Sequence, residues 1–129
     1  MVSQATKEWH EEESKLSYVP TLARAMTEVE QAAYTIMSDA FRNMFEGKIR
    51  DSRIGELVAD PKNFEGAMVR YARIENKDIY SVETTLDKRP RILTLLAADR
   101  STDMVLTDLK GKFIEQLDNS NGEIRHTRA

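Results

Sequence analysis

A chain of 129 residues with a net charge of -3, 32% charged residues and no cysteine is long enough to bury a core and most simply forms one domain. The missing cysteines exclude a disulfide framework and a thiolate metal site, and the near-balanced charge gives no overall pull toward nucleic acid or an anionic membrane. No apolar run approaches the length of a membrane span or a signal segment, so the expectation is a cytoplasmic protein with no membrane partner.

Residues 1–16 read as an acidic N-terminal arm. Glu8, Glu11, Glu12 and Glu13 surround Trp9, the one tryptophan, and His10. Ala5, Trp9 and Leu16 could share a thin helical face. Residues 17–129 then form a single helical domain.

The stretch 21–46 is the most periodic of the chain. Leu22, Met26, Val29, Ala33, Ile36 and Ala40 follow at steps of four and three, which keeps them on one helix face. A second stripe, Tyr34, Met37, Phe41 and Phe45, opens in the later half. Thr21 after Pro20 gives a start, and Gly47 gives a stop. The expected fold class is therefore mainly α, with one long central helix packed by several shorter ones.

Ser52 caps a short helix at 53–59, with Ile54, Leu57 and Val58 facing inward. Asp60-Pro61 starts another, placed at 61–75, because Phe64, Ala67, Met68 and Tyr71 keep helical spacing. Residues 67–86 admit two readings. Ile79, Val82 and Leu86 suit a short helix, while the β-branched content of the second piece suits a hairpin. Ile92, Leu93, Leu95 and Leu96 form a run too short for periodicity to type. Leu106, Leu109, Phe113, Ile114 and Leu117 read as a helix, although Gly111 also permits two strands around a turn at Asp108–Gly111. DNSNG at 118–122 is a helix stop or a second turn. The tail EIRHTRA reads as a fraying end.

The alternative fold is thus α+β, with a small antiparallel sheet in the C-terminal half packed on the long helix. With both turns real, that arrangement resembles the general pattern of PAS-like and Cache-like sensor domains, and it implies a ligand-sensing α+β domain of a signalling protein.

Catalysis has little to stand on. His10 and His126 both lie in polar terminal segments, and neither is near a candidate nucleophile in sequence. Only His10 and Glu13 would converge on a helix, so no metal site is expected. Gly-rich phosphate loops, HExxH and EF-hand spacings are missing. The expectation is no enzyme activity, no cofactor and no catalytic residue. Basic residues cluster at Lys48, Arg50 and Arg53, at Arg70 and Arg73, and around Pro90 as Lys88, Arg89 and Arg91. Brought onto one edge, they would be candidate nucleic-acid contacts. As ordinary helix-end cations they would pair with Asp51, Asp60 and Asp87.

The first functional expectation is a non-catalytic helical interaction module, an adaptor or regulator with a protein partner. It would work as a homodimer through Trp9, Leu22, Met26, Val29 and Ala33. The alternatives are a nucleic-acid-binding accessory protein using the basic strip and the ligand-sensing α+β domain.

Overall fold

The computed structural model describes residues 26–129. The N-terminal arm, including Trp9 and His10, and the start of the expected long helix, including Leu22, lie outside the described residues. Helix α1 spans Glu28–Met44 and α2 spans Arg53–Ala59, and a 3-10 turn follows at Pro61–Phe64. Six strands complete the chain: β1 Val69–Ile74, β2 Lys77–Leu86, β3 Arg89–Ala98, β4 Ser101–Thr107, β5 Phe113–Ser120 and β6 Glu123–Arg128. They form one antiparallel sheet in the order β1-β2-β3-β4-β5-β6, a plain meander. The mainly-α expectation is therefore wrong, and so is a single helical domain at 17–129. The protein is α+β, and its sheet is larger than the one weighed as the alternative.

Helix α1 starts later than its apolar periodicity predicts. Thr27 caps it: its Oγ1 accepts from the Glu30 N–H, and the Glu30 carboxylate accepts from the Thr27 N–H in return. The other Glu30 oxygen accepts from the Gly66 N–H at 2.6 Å, which ties the helix start to the turn before β1. Ser52 caps α2 as expected, with Oγ accepting from the Gly55 N–H. The predicted helix 61–75 shrinks to its first turn. Asp60 and Pro61 do start it, but Gly66 takes a φ of +75° and the chain then enters β1.

Two-residue turns set the meander. Glu75-Asn76, Asp87-Lys88 and Asn121-Gly122 all adopt positive φ at both positions, the backbone twist that suits antiparallel hairpins. The segment read as a helix through Leu106 and Leu117 is instead β4 and β5, joined through a loop in which Gly111 holds a φ of +86°. The tail expected to fray is β6, paired along its length with β5.

Both helices and the 3-10 turn cover one face of the sheet. Ala33 and Met37 of α1, Ile54 and Leu57 of α2, and Phe64 pack against Val82, Leu93, Met104, Leu106 and Leu117, all fully or almost fully buried. Tyr34 meets Phe64 edge to face at 5.6 Å. Gly55 lets α2 approach α1, since a Cβ there would stand 3.0 Å from the Phe41 ring. Asn119, buried on β5, donates to the Met44 carbonyl at 3.3 Å and so holds the end of α1. Strand burial alternates cleanly on β4 and β5, with every second residue under the helices.

On the other face, Asp103 and Asp118 stand directly across from each other on β4 and β5. Asp103 Oδ1 is shut off from solvent and has no hydrogen-bond donor among the described residues. Desolvation, the hydrogen bond shared with Asp118 and the charge of Asp118 push the Asp103 carboxyl up to about 6, and only Lys77 opposes them. A carboxyl raised above its unfolded value of about 3.9 costs stability as it ionises, so this contribution falls as pH rises from about 4 to about 6. In dilute solution, Asp103→Asn is expected to raise the thermal midpoint at pH 7. The gain should shrink toward pH 4, where the native carboxyl is already protonated. A gain of equal size at both pH values would refute this assignment.

A basic cleft closed by a buried glutamate

The helix layer stops short of one end of the sheet, the end formed by the β2–β3 and β4–β5 turns. There the covered face opens into a cleft of about 620 Å3. Leu86 and Leu106 are buried in its floor, and Phe113 adds a half-buried ring. The rim carries five cations, Arg53, Arg89, Arg91, Lys112 and Arg128, against the carboxylates of Asp51, Asp108 and Glu115.

Strand alternation explains the gathering. Arg89 and Arg91 share a face with Leu93, which lies in the core, so they continue the core face beyond the last helix. Arg128 lies directly across from Glu115 on β6. Lys112 is fixed by the β4–β5 loop, in which Asp108 Oδ1 accepts from the Lys110 and Lys112 N–H groups at 2.8 and 2.9 Å. The Lys112 bond chiefly holds the Asp108 carboxyl below its usual range, with Arg91 and Lys112 adding charge attraction. A register shift between Leu106 and Thr107 bends β4 beside the cleft.

Glu115 closes the inner end and is fully buried. Its Oε1 accepts from Ser52 Oγ at 3.1 Å and from the Ile54 N–H at 2.8 Å. Its Oε2 accepts from His126 Nε2, 2.5 Å away. Three donors thus satisfy a carboxylate that would otherwise be costly to bury. The bonds fasten the loop before α2 onto β5 and β6. Arg128 adds a bond from Nη2 to the Arg50 carbonyl at 3.3 Å. Asp51 in that loop holds a φ of +55°, a strained conformation stabilised by the contacts on either side.

Of the cations singled out in the sequence, Arg53, Arg89 and Arg91 come together here. Arg53 is partly committed, to Asp87 at 2.6 Å and to Glu56 at 3.6 Å. Lys48, Arg50 and Lys88 are exposed nearby but do not line the cleft. Arg70 and Arg73, expected one turn apart on a helix, sit on β1 and therefore face opposite sides of the sheet. Arg73 is held by Asp78 at 2.6 Å, and Tyr71 donates to the same oxygen. Those two bonds hold the Asp78 carboxyl below its ordinary value. Lys112 and Arg128 were missed because they lie in segments read as a helix and a loose tail. His126 was missed as a structural group for the same reason.

The residues expected to form a dimer interface are also separated. Ala33 is fully buried inside the chain, Met26 is partly buried against the core, and Val29 remains 46% exposed. No group of three or more metal-ligating side chains occurs among the described residues, and no helix there is long and apolar enough to cross a membrane.

No protein-family model, curated protein or solved structure matches the chain, so the sensor-domain resemblance gains nothing from comparison and the functional reading rests on the cleft.

Removing the Glu115 side chain leaves Ser52 Oγ, the Ile54 N–H and His126 without their acceptor at the inner end of the cleft. Glu115→Ala is expected to lower the unfolding free energy by about 3–5 kcal/mol, since each buried donor left without its acceptor costs about 1–3 kcal/mol. Glu115→Gln should cost less, because its amide oxygen can keep one or two of the three bonds. Urea titrations of both variants check this, and equal losses would show that the bonds to the carboxylate carry no weight.

Proposed function

We propose that this protein is a non-catalytic α+β ligand-binding module, and that its basic cleft takes a small anionic molecule with an apolar body. The observation carrying this reading is the placement of Arg89, Arg91, Lys112 and Arg128 around a floor of Leu86, Leu106 and Phe113. A cleft of this size suits a small ligand, and a few charged groups around an apolar floor are what such sites use to orient one. Arg89, Arg91 and Arg128 have no carboxylate within ion-pair distance among the described residues, so they remain available to an anion. Guanidinium groups pair with carboxylate or phosphate through two parallel bonds.

The groups that could perform chemistry are committed elsewhere. Ser52 Oγ caps α2 and donates to Glu115, and Glu115 is occupied by its donors. This supports binding over catalysis. The nucleic-acid reading is weaker, since Arg70 and Arg73 do not extend the cleft into a continuous track. The adaptor reading drew on an apolar helix stripe that now lies partly inside the core.

Calorimetric titration with phenyl phosphate, benzoate, inorganic phosphate and phenol tests the proposal. The aromatic anions are expected to bind more tightly than phosphate or phenol. Arg89→Ala with Arg91→Ala should weaken them at least about tenfold, the scale of losing one charge-assisted pair. If none of these anions binds at millimolar concentration, the proposal fails. If a single-stranded oligonucleotide binds instead, with a steep salt dependence, the basic residues serve nucleic acid.

A further inference from the structure

The face of the sheet opposite the helices carries no packed element among the described residues. Its side chains alternate out of phase with the core. Ile79, Ile92, Leu96 and Val105 point onto this face, each only half-buried, while their strand neighbours Leu93, Leu95, Met104 and Leu106 lie beneath the helices. Ile79 stands directly across from Leu96, and Val105 across from Thr94, so the apolar stripe runs over β2, β3 and β4 with β3 at its middle. The charges flanking the stripe are unequal. On the β2 side lie Lys77, Glu83 and, from β1, Arg70; on the far side lies the facing pair Asp103 and Asp118, at the same end of the sheet as Lys77 and with Arg125 across from Asp118.

The geometry points to a second copy of this chain on that face, packed sheet to sheet about a twofold axis running along β3. Such an axis lays β2 of each copy over β4 of the other. It brings Leu96 near its counterpart and sets Lys77 of each copy against the other's Asp103–Asp118 pair. Two carboxylates side by side oppose burial under an apolar segment, but they suit an incoming ammonium. The chain's own Lys77 already acts on Asp103, and the twofold axis brings a second Lys77, from the partner copy, to the same pair. Strands about 4.8 Å apart rising about 3.3 Å per residue give this face roughly 600 Å2. That reaches the lower end of the roughly 600–1,000 Å2 per partner that specific interfaces bury. Aligned packing of twisted sheets is a standard arrangement, and twofold dimers are the commonest closed assembly. This pairing does not depend on the ligand reading, because the cleft opens on the opposite face.

Sedimentation velocity and light scattering on the full chain, from 1 to about 100 μM, test it. The expected result is a dimer at low micromolar concentration. Leu96→Arg should give a monomer with an unchanged circular dichroism spectrum. Lys77→Glu alone and Asp118→Lys alone should each weaken the dimer about three- to tenfold, the scale of a partly exposed charge contact. Mixing these two variants in equal amounts should restore it. The introduced carboxylate then meets the introduced ammonium at one contact, and the native pair survives at the other. An attraction confined to one chain would show no such rescue. A parent chain that stays monomeric at 100 μM overturns the proposal, including the case in which residues 1–25 cover the face. A dimer that tolerates Leu96→Arg but is lost with Val29→Glu overturns it in favour of the helix. A mixture no tighter than either variant alone overturns the stated axis.

Discussion

The hydrogen bonds of the buried Glu115 are the interaction on which the cleft end of the molecule depends. A carboxyl group with no solvent access is tolerated only where hydrogen-bond partners surround it, and here they are three: a hydroxyl, a backbone amide and an imidazole. They belong to two distant parts of the chain. Ser52 and Ile54 bring the start of α2, and His126 brings the last strand, so one side chain of β5 sets where the helix layer ends. The cleft is the space left beyond that end. Arg89, Arg91 and Lys112 come to its rim because their strands and loop continue past the last helical cover. Removing the carboxylate would therefore alter the cleft wall as well as stability, and Glu115 is better described as a positioning residue than as a ligand contact.

Local signals in the sequence survived where they were strong and short. The capping of α2 by Ser52, its inward residues Ile54, Leu57 and Val58, and the Asp60-Pro61 start are all present in the structure. Most of α1 was legible as well, since Ala33 and Met37 sit at the bottom of the core. Its start was misplaced because Leu22 and Met26 continue the apolar spacing, while the reciprocal bonds of Thr27 and Glu30 begin the helix later. An apolar period describes a face, and a cap fixes an end.

The sheet was misread because helical spacing in its strands arose by coincidence. Ile79, Val82 and Leu86 fall three and four apart, yet Ile79 faces outward while Val82 and Leu86 face the core. Leu106, Leu109 and Leu117 look like one stripe, but Leu109 is 51% exposed in the loop between two strands. The turns gave little warning. Asn121-Gly122 carries a recognisable hairpin pair, whereas Glu75-Asn76 and Asp87-Lys88 each set one residue that tolerates the left-handed backbone, Asn76 and Asp87, beside one that usually avoids it. Those two turns are held by the pairing of their strands, which a local reading cannot see. The basic cluster was visible only in part for the same reason. Arg53, Arg89 and Arg91 were identified in the sequence, but Lys112 and Arg128 joined them only once the sheet closed.

The two edges of the sheet bear on how copies of the chain can meet. An unpaired edge strand exposes a row of backbone donors and acceptors that invites a further strand. Strand β6 presents Glu123, Arg125 and Arg128 along that edge, and β1 presents Arg70 and Arg73 with Asp78 bound alongside. Pairing β1 with β1 would set Arg70 and Arg73 against one another, and the cations on both edges work against pairing β1 with β6. Edge-to-edge growth is thus opposed by charge at both ends of the meander. The open face has the reverse character: its centre is apolar, and the Asp103–Asp118 pair lies on the far side of β3 from Lys77. In the proposed dimer the contact runs through the face, where a twofold arrangement closes on itself after one partner.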